Sequence, residues 1–186
     1  MDAAETLTRW QSEDAALRAR HRDLPPAPLP RNGVVGRPGI DTLRDMIEGR
    51  LPGPPIASAM DFLLVHVEPG LAVFQGRPGR AFLNPMGGLH GGWYATLLDS
   101  AVGCAVHTTM AAGRGYTTLE LKMNLVRAVA PDLPLVRAEG RVVHGGRQVA
   151  TAEGRLVGPD GKLYAHAKKK FLVFLFEECV VCLYCC

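Results

Sequence analysis

The hydrophobic pattern sets one long apolar segment between two groups of alternating ones. Residues 93–113, WYATLLDSAVGCAVHTTMAAG, run without proline and close on Gly113, which predicts a helix. Trp93, Ala95, Leu97, Leu98, Ala101, Val102, Ala105 and Val106 leave it no polar face. A helix apolar on every side is buried on every side. Before it, DFLLVHVEPG and LAVFQGR alternate as two strands joined at Pro69-Gly70. After it, YTTLELKMNLVRA, LPLVRAEGRVVHG, QVATAEGRLVG and KLYAHAKKKFLVF read as four strands. Their separators are turn signals: Ala130-Pro131-Asp132, Gly145-Gly146 and Gly158-Pro159-Asp160-Gly161. Helices and strands do not alternate as in a doubly wound sheet. The order predicts an α+β domain, an antiparallel sheet wrapped around one long central helix.

Upstream, residues 2–22 predict a helix with Leu7, Trp10 and Leu17 loosely on one side. LPPAPLPRNG follows as a proline-rich connector that cannot be helical. A short helix near Ile40–Glu48 is started by Asp41 or Thr42. Residues 1–35 read as an appendage, 36–175 as the domain and 176–186 as a cysteine-rich tail. A chain of 186 residues, 47% hydrophobic, supports one core of ordinary size rather than two domains.

Charge and cysteine narrow the function classes. A net charge of +3 without a concentrated basic face argues against duplex nucleic acid as partner and fits an anionic small molecule. Only Cys104 is internal; Cys179, Cys182, Cys185 and Cys186 crowd the end. That is no disulfide framework, so a reducing, cytoplasmic setting is expected. No secretory signal or membrane-length apolar run is read, and no membrane partner is expected. His21, His66, His107 and His166 are scattered without ligand spacing, so no metal site is expected.

The chemistry concentrates in Asn84-Pro85-Met86-Gly87-Gly88-Leu89-His90-Gly91-Gly92, with Asp99 nine residues after His90. Gly91 and Gly92 stand where the long helix begins. The first amides of a helix lack internal acceptors and lie at the positive end of its dipole. Glycine lets a carbonyl approach closely, so the place suits an oxyanion hole, where one donor contributes about 3 kcal/mol. Asp99 is the only formal charge between His90 and Arg114. A carboxylate on an apolar helix either carries chemistry or bonds neighbouring hydroxyls such as Thr96 and Ser100. At about 100° per residue, His90 and Asp99 face opposite sides of the helix, about 13.5 Å apart along its axis. If both act on one substrate, two antiparallel copies must share the site, and a two-fold interface creates two such sites. His144-Gly145-Gly146 repeats the letters of the motif but lies between strands and reads as a hairpin turn.

Asn-x5-His-Gly-Gly-x6-Asp, followed by G-x-x-x-TTLELKMNLVRA over Gly113–Ala128, resembles the PaaI-type acyl-CoA thioesterases. It is also similar to 4-hydroxybenzoyl-CoA thioesterase of the Arthrobacter kind. The resemblance spans roughly residues 37–174. It implies a hotdog fold, a homodimer or a dimer of dimers, acyl-CoA bound at the subunit interface, and no cofactor beyond the CoA of the substrate. By position it implies that Asn84 and His90 orient the thioester and the start of the motif. The Gly91 amide would polarise the carbonyl, with Gly92 beside it. Asp99 of the partner copy would act as base or nucleophile, and Thr118 would position water, with Thr117 exchanged for it by a one-residue slip. Ala128 stands where the family usually has proline, which affects a turn more than the chemistry.

Other residues keep two readings. Lys168, Lys169 and Lys170, with Lys122 and Arg147, either contact CoA phosphates or solubilise a strand edge; Lys122, Lys168 and Lys170 are the candidates for CoA. Met86, Trp93 and Tyr94 line an acyl pocket or are plain core. The tail binds metal, takes a lipid or is dispensable. The expected activity is hydrolysis of an acyl-CoA to acid and CoA. A hotdog hydratase or dehydratase is weaker because D-x-N-x-x-H is absent. A non-catalytic acyl-CoA sensor would not need Asp99.

Overall fold

A computed structural model describes residues 2–176. In chain order the elements are α1 (Ala3–Arg20), α2 (Arg31–Val35), α3 (Gly39–Ile47), α4 (Pro55–Ala59), β1 (Phe62–Glu68) and β2 (Leu71–Gly76). Then come α5 (Gly91–His107), β3 (Arg114–Leu125), β4 (Val136–Gly145), β5 (Val149–Val157) and β6 (Leu163–Leu175). The strands form one antiparallel sheet in the order β1-β2-β4-β5-β6-β3. α5 lies against it, and Leu97, Leu98, Ala101, Val102, Ala105 and Val106 are fully buried. Burying each leucine or valine side chain contributes roughly 2 kcal/mol. This is the α+β hotdog arrangement, a sheet wrapped around one helix.

The sheet meets α5 so closely because β4 carries a glycine at the crossing. A Cβ on Gly140 would stand 2.3 Å from the Ala101 carbonyl oxygen. α5 ends at His107, earlier than Gly113 suggests; Gly113, at φ +82°, leads into β3 instead. The connector is non-helical through Pro30, but residues 31–35 form one helical turn, because proline stiffens the position before a helix without barring the residues after it.

The N-terminal segment is folded onto the domain. β2 is buried on both faces, with α5 on one side and α1 on the other. Asp14 of α1, fully buried, accepts from Arg18 Nε at 2.9 Å and pairs with Arg77. Gln75 Nε2 donates to the Trp10 carbonyl at 3.1 Å, and its Oε1 accepts from Arg137 Nε at 2.8 Å. The Arg137 guanidinium also lies 4.5 Å from the Trp10 ring centre. Satisfying Asp14 with two guanidinium groups is what makes its burial tolerable. No helix among the described residues is long and apolar enough to cross a membrane. The calls on Cys179, Cys182, Cys185 and Cys186 lie outside the described residues.

Candidate active site

The start and the middle of α5 carry different features. At its start, His90 is the N-cap, and its Nδ1 accepts from Gly92 N–H at 2.9 Å. That leaves Gly91 N–H as the first amide of the helix, a position without an intrahelical acceptor. The two glycines answer different needs. A Cβ on Gly92 would stand 2.9 Å from His90 Nδ1, whereas one on Gly91 would meet only Leu125 Cδ1 at an ordinary 3.6 Å. Asn84 builds the preceding loop: its Oδ1 accepts from Met86 N–H at 2.9 Å and from Gly88 N–H at 3.1 Å. Gly87, at φ +79°, closes the turn. Met86 projects almost wholly into solvent.

Two turns along α5, Asp99 opens onto a pocket of about 500 Å³. Ser100, Gly103 and Cys104 share that wall, β3 supplies Tyr116, Thr117 and Thr118, and β6 supplies Lys169. Asp99 does not bond the neighbouring hydroxyls. Thr96 and Ser100 donate to helix carbonyls, of Gly92 at 2.9 Å and Thr96 at 2.8 Å. Instead Lys169 Nζ donates to Asp99 Oδ1 at 2.5 Å. The pair is unequal: the lysine side chain is 3% exposed and the aspartate 45%. The Lys169 ammonium also lies 4.8 Å from the Phe171 ring centre, a favourable place for a cation.

A bulge aims this wall. Thr118 pairs with Phe171 and Glu120 with Lys170, so Leu119 is the extra residue of β3. Thr118 shares the inward face of Phe171 and Lys169. The bulge turns Glu120 outward, and Leu121 and Met123 return to the core.

Asp99, Thr117 and Thr118 therefore meet in one pocket. His90, Gly91, Gly92, Asn84 and Met86 lie at or before the start of the helix, about 12 Å along its axis from mid-helix Asp99 for Gly91. Trp93 is buried in the core, its Nε1 donating to the Met60 carbonyl at 2.9 Å; Tyr94 accepts from Val129 N–H at 2.8 Å. Neither reaches the pocket. Lys168 and Lys170 face outward, paired with Glu153 at 2.9 Å and Glu120 at 2.8 Å, and Lys122 sits across from Lys168. The lysine that enters the pocket is Lys169, between them. Its signal is strand alternation: Ala165, Ala167, Lys169, Phe171 and Val173 form the inward face of β6. His144-Gly145-Gly146 closes the β4–β5 hairpin, with Gly146 N–H donating to the Val149 carbonyl at 2.9 Å.

Comparison with known proteins agrees with this architecture. A sequence model of the thioesterase superfamily matches residues 86–165, which include the helix motif, Asp99 and β3. The fold is the hotdog fold, and residues 86–165 resemble the thioesterase superfamily. A phenylacetic acid degradation-related protein from Ralstonia eutropha JMP134 superposes on this hotdog protein with a TM-score of 0.64 at 29% identity, covering 70% of this chain and 98% of that one. Phenylacetic acid degradation protein PaaI from Thermus thermophilus gives 0.57 at 28% identity, covering 63% and 97%. A thioesterase family protein from Silicibacter pomeroyi shares the fold, at 0.63 and 23% identity, covering 74% and 98%. No curated protein matches the sequence.

Proposed function

We propose that this hotdog protein hydrolyses acyl-CoA thioesters to free acid and CoA, on the PaaI-type plan, at a site shared by two copies of the chain. The observation that carries the reading is Asp99. It is the only charged side chain of α5, it is held by a buried ammonium, and it faces a pocket that Thr118 lines from the inward face of β3. In the proposed reaction Asp99 acts as general base on water or as nucleophile toward the thioester carbon. The hydroxyl of Thr118 positions the water. Charge building on the carbonyl oxygen is met by the Gly91 amide, and the thiolate of CoA leaves.

Separation of the start of α5 from Asp99 at its middle supports a composite site. One protomer keeps Gly91 and Asp99 on different stretches of the helix, so a single carbonyl reaches both only when a second copy supplies one of them. β3 is an edge strand, and it presents Leu119, Leu125 and neighbouring Val126 to solvent at more than half exposure. A free edge with apolar side chains is a template for pairing with a second copy. Gly91 is not required by this protomer's own packing, which suits a position reserved for close approach of a ligand. Asn84 supports the loop that presents it.

The test is thiol release from a panel of acyl-CoAs by the wild-type protein and by Asp99→Asn. Hydrolysis by the wild type with a loss on the order of 10²–10⁴ in kcat for the variant supports the reading. Binding without thiol release by either protein would make it a sensor, and equal activity would remove Asp99 from the chemistry.

A further inference from the structure

We propose that the cavity beneath α3 and α4 is the chamber for the acyl group, roofed by the N-terminal segment, and that it takes uncharged acyl groups of up to about eight carbons. The inference rests on the thioesterase reading of the Asp99 pocket. The chamber measures about 230 Å³. It meets the Asp99 pocket along a shared wall of Pro54, Phe74, Cys104 and Tyr116. An acyl group whose carbonyl stands at Asp99 therefore has this space directly behind it.

Size and polarity define the occupant. An apolar cavity of about 150 Å³ accepts benzene, and a water-sized volume of about 30 Å³ per methylene gives this one room for seven or eight carbons. Leu43, Met46, Leu64 and Phe74 make the walls apolar. Among the described residues, no aspartate, glutamate, lysine or arginine lines the chamber. Burial pushes the Cys104 thiol up to about 12 and holds His107 below its ordinary value, so both favour their neutral forms. His21 donates Nε2 to the Met46 carbonyl at 2.7 Å. A second carboxylate on the acyl group would find no counter-charge there, and burying it unpaired is costly.

The roof comes from outside the segment shared with the superfamily. His21, Leu29 and Val34 line the chamber and precede the match that begins at residue 86. The N-terminal segment is thereby a specificity element, tied down by α1 on β2 and by Gly113 N–H donating to the Val35 carbonyl at 2.7 Å.

The experiment compares Val34→Trp and Leu29→Phe with wild type on butanoyl-, octanoyl-, hexadecanoyl- and succinyl-CoA. Wild type is expected to favour octanoyl-CoA over hexadecanoyl- and succinyl-CoA by more than 10-fold in kcat/KM. The filling variants should lose at least 10-fold on octanoyl-CoA, the scale of a methylene in an apolar pocket, and keep butanoyl-CoA within about twofold. Calorimetry with 1-octanol separates the two readings and covers a variant that folds poorly in assay. Octanol binding to wild type and not to Leu29→Phe, with no thioester cleaved, keeps the chamber and ends the thioesterase reading. Thioester cleavage with one chain-length profile across wild type and both filling variants ends the chamber, and so does an equal rate on succinyl- and octanoyl-CoA.

Discussion

Replacing Asp99 strands a charge, and the cost is set by which partner of the ion pair is buried. Lys169 is 3% exposed and Asp99 45%. Asp99→Ala leaves an ammonium enclosed by protein without its carboxylate, and breaking a buried pair from one side costs about 3–5 kcal/mol. Water entering through the pocket and the Phe171 ring offset part of this, which leaves about 2–3 kcal/mol. Lys169→Met removes the buried charge itself. Methionine replaces the lysine stem with apolar volume, and the half-exposed carboxylate is hydrated, so the cost is about 1 kcal/mol or less. Asp99→Ala/Lys169→Met should then be more stable than Asp99→Ala by about 1–2 kcal/mol. Urea unfolding at pH 7, at one fixed protomer concentration, measures the cycle. A Lys169→Met protein less stable than Asp99→Ala, or a double variant least stable of all, would refute the assignment of the burial cost to the lysine.

Other consequences follow from the same geometry. Burial lowers the proton affinity of His107 in the folded chain, so the unfolded chain takes up the additional proton as pH falls below 6.5. Stability should decline with falling pH in that window, and His107→Gln should flatten the decline in urea melts at pH 7.0 and 5.5. Gly140→Ala drives a methyl into the Ala101 carbonyl and should cost about 3 kcal/mol, read as a lower urea midpoint with m unchanged. Gly91→Ala keeps the amide and meets no close atom of its own protomer, whereas Gly91→Pro deletes the amide at a helix position that tolerates proline. Both should fold, and Gly91→Pro should lower kcat by 10²–10³ in the thiol-release assay, on the order of one oxyanion donor.

The central helix was legible because every face of residues 93–107 is apolar, and only a wrapping sheet hides such a helix. The hairpin at Gly145-Gly146 was legible from turn chemistry alone. Sheet order was not: nothing local says that β3 runs beside β6 at an edge, since strand pairing is decided by how the whole sheet closes over α5. Asp99 stood out as a lone charge, but its partner did not. The three lysines of β6 look alike as letters, and a strand turns alternate ones to opposite faces, so the middle one is drawn in while its neighbours pair with Glu153 and Glu120. The bulge at Leu119 hides the register further by breaking the period of two within TTLELKM. Trp93 resembles a pocket aromatic until its indole N–H is seen bonded to the Met60 carbonyl in the core. The docking of α1 rests on Asp14 and Gln75, polar residues whose burial no hydrophobic pattern announces.

Subunit complementation tests the shared site most directly. Asp99→Asn and Gly91→Pro proteins, each nearly inactive, are unfolded together, refolded as a mixture and assayed for thiol release. A site built from two copies regains one intact pairing in each mixed dimer, so the mixture should recover about a quarter of wild-type activity. A mixture no more active than the average of its two parents would place both groups within one protomer's reach and contradict the account.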